Sequence, residues 1–207
     1  MKKPSCKICR RLGVKLFLKG EKCLSPKCPI LKRPYPPGQK KKRRPAPPSE
    51  YALLLREKQK LKKWYNLDEN QLKKYIKEIF KKRGEDMPEL LIRKLEGRLD
   101  NAVFRLGFSL SRKQARQLVS HGSFLVNGKS VRFPAFQVKK TDIISVKPQR
   151  QKKYFSSNLK SMLKKYKTPN WLELNVEKLE GKVIGEPNLA EAVPPADILS
   201  VFEYYSK

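Results

Sequence analysis

Positive charge is so concentrated in the first 169 residues that it limits how this chain can fold. These residues hold 46 Lys and Arg but only 12 Asp and Glu, whereas residues 170–207 carry a net charge of −4. Self-repulsion on this scale opposes a compact state unless a polyanion neutralises it. The pattern predicts nucleic acid as the main partner, with an anionic membrane surface as the alternative.

The chain length and the absence of long apolar runs restrict the class of protein further. A chain of 207 residues is enough for one large domain or two small ones. No apolar run approaches the roughly 20 residues that span a bilayer, and the first residues lack the apolar stretch of a signal peptide. We therefore expect a cytoplasmic protein without a membrane partner.

All four cysteines lie in residues 1–31, spaced C-x2-C-x13-C-x4-C at Cys6, Cys9, Cys23 and Cys28. Two close pairs separated by a loop suit the tetrahedral coordination of Zn²⁺. An iron–sulfur cluster and free or redox-active thiols are the alternatives, and a cytosolic setting argues against two disulfides. Four protein ligands leave no open position for a substrate, so the sequence predicts a structural metal.

Residues 32–48, "KRPYPPGQKKKRRPAPP", combine prolines with a block of five cations that includes Arg43 and Arg44. Such a segment buries little apolar area, which predicts an extended, mobile arm. The alternative is a plain linker. The charge favours an arm that lies along phosphates.

Helical periodicity begins after residue 49. Ser49 is expected to cap a first helix, and Asp68 with Gln71 has the spacing of a capping box for a second. Pro88 is expected to open a third helix that ends at Gly107. Its buried stripe is predicted to consist of Leu91, Leu95, Leu99, Val103 and Leu106.

The next predicted helix has cations beside its N-terminus and a capping box made by Ser111 and Gln114. Backbone N–H groups and the helix dipole favour anions there, so Arg112, Lys113 and Arg116 predict a phosphate-binding surface. Arg98 and Arg105 are expected to extend it, and Asn101 and Gln117 to bind sugars or base edges. A solvated helix face is the alternative. His121 is placed to cap the helix end.

A hairpin is predicted directly after Gly122. Asn127 and Gly128 suit a two-residue type I′ turn, which pairs Phe124 with Val131. The segments "AFQV" and "IISV" (135–138 and 143–146) predict two more strands. Further on, residues 157–167 predict a basic helix, "WLELNV" predicts a strand that pairs with "GKVIG", and the tail is either a strand or a short helix.

Together these elements predict an α+β fold. It consists of a helical N-terminal domain with a zinc knuckle, and a module of two helices and a small antiparallel sheet. The expected segments are a knuckle (1–31), the basic arm (32–48), a helical domain (49–96), a module with the basic helix and the hairpin (97–160), and C-terminal strands with a tail that packs on the preceding domains (161–207).

The stretch "LEGRLDNAVFRLGFSLSRKQARQLVSHGSFLVNGKSV" resembles the RNA-binding module named after small ribosomal subunit protein four. The stretches "CRRLGVKLFLKGEKCLSPKC", "RPYPPGQ", "YALLLREKQKLKKWY", "NWLEL" and "EYYSK" extend the resemblance to the bacterial ribosomal protein family over nearly the whole chain. The four cysteines match zinc-bearing members of that family. Residues 1–5 and 38–44 depart from the family pattern, so contacts made by these residues do not follow from the resemblance.

The resemblance implies a structural ribosomal protein that binds small-subunit ribosomal RNA directly and early in assembly. It also implies effects on decoding accuracy near the messenger entry channel, with neighbouring small-subunit proteins and messenger RNA as further partners. Three separate basic stretches favour a multi-helix junction of that RNA as the binding site. The resemblance places these residues on the RNA-facing motif: Arg98, Asn101, Arg105, Arg112, Lys113, Gln114, Arg116, Gln117, His121 and Asn127. Arg10, Arg11, Arg43, Arg44 and Lys129 complete the predicted RNA-binding set.

Two other classes of function compete with this interpretation. The same module also occurs on RNA-modifying enzymes, but residues 1–89 and 147–207 offer no nucleotide-binding glycine loop and no recognisable carboxylate pair. We therefore expect no catalytic residues and no small-molecule substrate. A zinc-containing DNA-binding regulator is the other alternative, and it would prefer duplex DNA to structured RNA.

Overall fold

A computed structural model of the protein describes residues 5–39, 47–82, 86–154, 163 and 166–206. Contacts between residues divide the chain into two compact units, residues 1–88 with 193–207 and residues 89–192. Helices and an antiparallel sheet together confirm the predicted α+β class, while the division into five segments stays a prediction. None of the described helices is long and apolar enough to cross a membrane.

The first unit is built from helices in its described parts. Their bounds are α1 Ser5–Leu12, α2 Glu21–Leu24, α3 Pro29–Lys32, α4 Glu50–Trp64, α5 Glu69–Phe80 and, at the end of the chain, α11 Ile198–Ser206. The predicted caps are confirmed. The Ser49 hydroxyl accepts a hydrogen bond from the Ala52 N–H at 3.3 Å, and Asp68 with Gln71 forms a capping box on α5.

The tail of the chain is a helix, which decides between the two alternatives that the sequence left open. Ile198, Val201 and Phe202 are buried in α11, at the i, i+3, i+4 spacing of one helix face. The helix contacts α4 and α5, and the ring of Phe202 lies 5.6 Å from that of Phe80.

The second unit combines short helices with one sheet. The helices are α6 Met87–Glu96, α7 Leu99–Arg105, α8 Arg112–Ser120, α9 Pro148–Tyr154 and α10 Leu189–Ala192, and the strands are β1 Phe124–Val126, β2 Lys129–Ser130, β3 Ile143–Val146, β4 Leu172–Asn175 and β5 Glu180–Val183. The five-stranded sheet has the order β2-β1-β3-β5-β4, and each neighbouring pair is antiparallel. Helix α9 was not predicted.

The predicted hairpin is confirmed in position and register. Leu125 pairs with Ser130 and Val126 with Lys129, the register expected from the turn. Asn127 and Gly128 both have positive φ, 49° and 78°, as a type I′ turn requires.

The later strand predictions have mixed outcomes. Strands at "IISV", "WLELNV" and "GKVIG" are present, and β5 also pairs with β3, so the C-terminal strands extend the module's own sheet. The strand predicted at "AFQV" is wrong. That segment forms only an isolated bridge between Gln137 and Arg98.

The single helix predicted from Pro88 to Gly107 is two helices, because the chain leaves the helical path at Gly97 and Arg98. The backbone groups there bond to a distant segment: Gly97 C=O accepts from Val138 N–H at 2.8 Å, and Leu99 N–H donates to Phe136 C=O at 2.8 Å. A Cβ on Gly97 would lie 2.9 Å from the Arg93 carbonyl oxygen, so a side chain does not fit at the break.

The core of the second unit forms where α7 and α8 cover the sheet. The predicted stripe is confirmed, since Leu91, Leu95, Leu99, Val103 and Leu106 are all fully buried. Leu106 packs directly on β5. A Cβ added to Gly181 would lie 2.4 Å from both Leu106 δ-carbons, so the strand needs glycine there.

Some sequence predictions lie partly or wholly outside the described residues. These concern Arg43, Arg44 and the rest of residues 40–46 in the basic arm, and most of the basic helix predicted over 157–167. In the described part of the arm, Lys32 is the last residue of α3, and residues 33–39 and 47–48 contain neither helix nor strand.

Candidate nucleic-acid interface

Helix α8 and the β1–β2 hairpin carry most of the polar side chains predicted to bind RNA. The start of α8 is capped as expected, with the Ser111 hydroxyl accepting from the Gln114 N–H at 3.3 Å. The Gln114 side-chain oxygen accepts a hydrogen bond from the Leu110 N–H at 3.1 Å. In a standard capping box the donor would be the N–H of the next residue, the N-cap Ser111. These bonds fix the first turn of α8.

Within the second unit, the exposed members of the predicted set lie on α8, at its C-terminal end and on the hairpin. They are Lys113, Gln114, Gln117, His121, Asn127 and Lys129, whereas Arg112 and Arg116 are half-buried. Asn127 also holds the hairpin to β3, because its amide donates to Asp142 at 2.8 Å and its oxygen accepts from the Ile143 N–H at 2.9 Å. The other exposed side chains make a polar face with two lysines.

A buried carboxylate, Glu96, holds two of the predicted arginines from inside the unit. Arg105 donates to both Glu96 oxygens at 2.8 Å and also to the Ala192 carbonyl at 3.0 Å. Arg112 Nη2 lies 3.5 Å from the same carboxylate, whose side chain is 1% exposed. Glu96 therefore links α6, α7 and α8.

Arg112 has further partners that fix its direction. Its Nε donates to the Asn101 side-chain oxygen at 2.7 Å, and the Asn101 amide donates to the Leu95 carbonyl at 3.0 Å. The Arg112 guanidinium carbon lies 4.5 Å from the centre of the Phe104 ring. Asn101 is buried and acts inside the protein, which corrects the expectation that it reads sugars or base edges.

Arg98 forms a second buried ion pair with Asp100. Arg98 Nε and Nη2 donate to the two Asp100 oxygens at 3.0 and 2.8 Å, and the side chains are 1% and 6% exposed. Burial raises the pKa of the Asp100 carboxyl, against the opposing effects of Arg98 and Arg116. The helix break makes Arg98 the N-cap of α7 and turns it inward.

The expectation that Arg98 and Arg105 extend an exposed phosphate-binding face is thus corrected. Both guanidinium groups bind carboxylates within the second unit. Sequence reasoning missed Glu96 and Asp100, the acids that take up these arginines. The sequence does indicate that these acids are buried, because Glu96 directly follows Leu95 and Asp100 directly follows Leu99 in the predicted buried stripe.

In the first unit, the Arg10 side chain is hydrogen-bonded within the protein, and Arg11 is exposed. Arg10 Nε donates to the carbonyls of Arg33 and Tyr35, each at 3.0 Å. Its guanidinium carbon also lies 5.0 Å from the centre of the Tyr35 ring. Arg10 therefore fixes the start of the basic arm against α1, with Tyr35 exposed beside it.

The four cysteines border one small cavity, together with residues that include Ser5, Lys15 and Lys19. All four are free thiols, and three of them are buried. Burial raises the pKa of the Cys9 thiol, opposed by a hydrogen bond from Leu16 and reinforced by the other three cysteines. The Lys19 N–H donates to Cys23 Sγ at 3.4 Å.

This donor set is chemically suited to Zn²⁺, because four cysteines in mutual electrostatic contact around one cavity need a cation before they ionise together. Within the described residues, however, no group of three or more Cys, His, Asp and Glu side chains is arranged to hold a metal ion. The zinc knuckle is therefore not part of the confirmed fold and stays a prediction.

Comparison with known proteins accounts for nearly the whole chain. Residues 1–96 match the family model described as the ribosomal protein S4/S9 N-terminal domain, and residues 97–144 match the S4 domain. Small ribosomal subunit protein uS4 of Thermus thermophilus is 45% identical over 205 residues, covering 99% of this chain and 97% of the relative. The chain belongs to the uS4 family.

Other uS4 relatives cover the chain equally well. The protein of Clostridium tetani is 45% identical over 204 residues, covering 98% of this chain and 97% of the relative. That of Kosmotoga olearia is 43% identical over 204 residues, covering 99% of this chain and 97% of the relative.

Membership of the uS4 family confirms the resemblance found in the sequence and sets the class of function. The chain is a structural, rRNA-binding protein of the small ribosomal subunit, located on the ribosome in the cytoplasm, and it is not an enzyme. The S4 domain spans α7, α8 and the β1–β2 hairpin. The elements that carry the exposed polar face therefore belong to the family's RNA-binding domain.

Proposed function

We propose that this uS4-family chain binds small-subunit ribosomal RNA at a multi-helix junction, through the exposed face of α8 and the β1–β2 hairpin. The observation that carries the proposal is the α8 face itself, which we define as Lys113, Gln114, Gln117, His121 and Lys129. All five side chains are exposed. Lys113, Gln114 and Gln117 stand on a helix whose first turn is fixed by its cap, His121 follows at the helix end, and Lys129 lies on β2.

The charges beneath this face support the same proposal. Four arginines, namely Arg98, Arg105, Arg112 and Arg116, interact with the carboxylates Glu96 and Asp100 in the described part of the unit. Lys113 and Lys129 are exposed on the same RNA-binding domain and add positive charge to its surface. Because Arg112 is already held by Asn101 and Glu96, it loses little side-chain freedom when an anion approaches.

A junction of RNA helices fits the distribution of cations along the chain better than one duplex does. The first 49 residues contain 16 Lys and Arg and a single acid, and the α8 face lies in the other unit. A junction presents phosphates from several directions and is recognised by shape and sugar–phosphate contacts. Linking weak sites in one chain raises the total affinity.

The test removes exposed residues of the α8 face while leaving the internal arginine network intact. Lys113→Ala with Lys129→Ala should weaken binding to protein-free small-subunit ribosomal RNA, and the slope of log K against log salt should become shallower by roughly 0.7–0.9 for each phosphate that is no longer bound. The matched control is Lys178→Ala with Lys182→Ala, two exposed lysines near the acidic C-terminal strands. Equally weakened binding in both double variants would contradict the proposal.

We also propose that Cys6, Cys9, Cys23 and Cys28 hold one structural Zn²⁺. The shared cavity, the burial of three thiols and the backbone N–H donor near Cys23 support this site. Bound zinc would compensate four thiolates and stabilise the fold of residues 5–32. An iron–sulfur cluster is the alternative occupant, and elemental analysis distinguishes the two.

Two finer roles rest on the same RNA contact. We propose that the protein nucleates small-subunit assembly and contributes to decoding accuracy near the messenger entry channel, with messenger RNA as a further partner. Direct binding to RNA without other proteins is the property that an early assembly factor needs. Adding the purified chain to a subunit assembly reaction before or after the other ribosomal proteins tests whether it acts early in assembly.

A further inference from the structure

The turn Phe133–Phe136 displays two aromatic side chains that the RNA-binding prediction did not include. Phe133 is 75% exposed and Phe136 is 38% exposed. Isolated exposed apolar residues are common on protein surfaces, but two phenylalanines on one four-residue turn form a small aromatic patch. We call this segment the aromatic turn.

The backbone of the aromatic turn is fixed to the start of α7. Phe136 N–H donates to Phe133 C=O at 3.1 Å and closes the turn, while Asp100 N–H donates to Pro134 C=O at 3.2 Å and Leu99 N–H to Phe136 C=O at 2.8 Å. Two of the N–H groups that lack a partner within the helix are thereby satisfied. The exposed ring of Phe133 is attached to a fixed support.

The chain segments on both sides of the aromatic turn are cationic. Residues 129–140 contain no acid, and their four cations, Lys129, Arg132, Lys139 and Lys140, are all exposed. The Arg132 side chain lies against Gly122, since its Nε and Cγ are 3.1 and 3.2 Å from the position that a Cβ of Gly122 would occupy. Arg132 therefore joins the aromatic turn to the end of α8, where His121 is exposed.

We propose that the aromatic turn binds unpaired bases of the RNA, with Phe133 as the stacking surface. The proposal rests on the proposed function and adds the kind of RNA contact that the turn makes. Exposed aromatic rings among cations stack on nucleobases while the cations bind the adjoining phosphates. The bases must be unpaired, because bases within a duplex are already stacked on their neighbours.

A nucleic acid fits this patch better than a protein partner does. An apolar protein-docking surface typically excludes charge from its centre, whereas the twelve-residue segment that contains the two rings carries four exposed cations. The same charges favour a polyanion that also offers flat apolar faces. Single-stranded RNA has both properties.

The experiment compares Phe133→Ala, Phe133→Leu and Phe133→Trp in the full chain, with protein-free small-subunit ribosomal RNA as the probe. Loss of one stacked base should weaken binding by roughly tenfold in the Ala and Leu variants, and Trp should restore it. The slope of log K against log salt should stay unchanged, because every phosphate contact is kept. Chemical probing should show one or two unpaired bases that are no longer protected.

Ile184→Ala is the matched control, since Ile184 is a 43% exposed apolar residue of the same unit, beside the acidic strands. The affinity of Ile184→Ala for RNA should equal that of the wild type.

Phe133→Leu binding as tightly as wild type would overturn the stacking role. Normal binding of Phe133→Ala to naked RNA with poor incorporation into the subunit would identify a protein contact and also overturn it. A wild-type chain without preference for this RNA would overturn the proposed function instead.

Discussion

Arg105 binds Glu96 through two parallel hydrogen bonds, Nε to Oε2 and Nη2 to Oε1, each 2.8 Å long. The Glu96 side chain is only 1% exposed, so the pair is almost fully desolvated on the carboxylate side. Arg112 approaches the same carboxylate from α8. One acidic side chain thus determines where two cations of the RNA-binding domain lie.

Replacing Glu96 by Gln should destabilise the second unit by about 3 kcal/mol, because breaking a buried pair from one side leaves uncompensated charge. The measurement is urea denaturation, with hydrogen exchange reporting on α6, α7 and α8. Glu186→Gln is the control. Glu186 pairs with Arg93, and the side chains of Arg93 and Glu186 are 42% and 64% exposed. Removing this exposed ion pair should lower the free energy of unfolding by less than about 0.5 kcal/mol. Similar costs for the two variants would contradict the structural role of Glu96.

Gly181→Ala should destabilise the same unit by about 1–3 kcal/mol, the usual cost of overpacking a core. The added methyl group would lie 2.4 Å from the Leu106 δ-carbons, so Leu106 or β5 has to move. Gly185→Ala is the control, because its nearest neighbours are Trp171 atoms at an ordinary 3.6 Å. Thermal denaturation should separate the two variants, and a neutral Gly181→Ala would show that the packing is looser than described.

Acid should weaken the first unit through Glu69, which accepts hydrogen bonds from Lys58, Lys62 and Tyr205. Burial raises the pKa of Glu69, but these three donors outweigh it and lower the pKa to about 2. The contribution of Glu69 to the free energy of unfolding is therefore fully present above the ordinary pKa of 4.5, and it is lost as the pH falls from there towards 2.

Glu69→Gln should remove that pH-dependent contribution. Because the Glu69 side chain is 41% exposed, solvent screening limits the destabilisation at pH 7 to about 1 kcal/mol. The difference in unfolding free energy between variant and wild type should shrink as pH falls to about 2, as measured by urea titrations at several pH values. A difference independent of pH would mean that Glu69 acts only through packing.

Chelation and cysteine replacement test the proposed metal site. The purified chain should contain one zinc, and Cys9→Ser or Cys28→Ser should release it and unfold α1–α3 while α6–α8 stay folded. Elemental analysis measures the zinc content, and hydrogen exchange shows which helices unfold. A metal-free wild type whose residues 5–32 resist exchange equally with and without a chelator would refute the zinc site.

Local features of the fold were predictable because nearest neighbours in sequence determine them. The Asn127–Gly128 turn, the cap at Ser49 and the capping box at Asp68 each depend on residues within a few positions, and each is present. The break at Gly97 was not predictable in this way. It depends on hydrogen bonds to Phe136 and Val138, about forty positions away.

The same distinction separates the correct from the incorrect parts of the predicted site. Lys113 and Gln117 lie on the exposed face that helical periodicity assigns to them. Arg98 and Arg105 also look like surface cations in the sequence, but they are paired with Asp100 and Glu96. Only the tertiary fold determines which carboxylates an arginine meets, so charge patterns alone overestimate the binding surface.

The central claim is direct and selective recognition of small-subunit ribosomal RNA. The most direct measurement is binding of the purified chain to that RNA stripped of all proteins, at physiological salt, in competition with excess transfer RNA and duplex DNA. We predict that the ribosomal RNA is retained while both competitors fail to displace it. Equal affinity for the three nucleic acids, or a requirement for previously bound ribosomal proteins, would contradict the account.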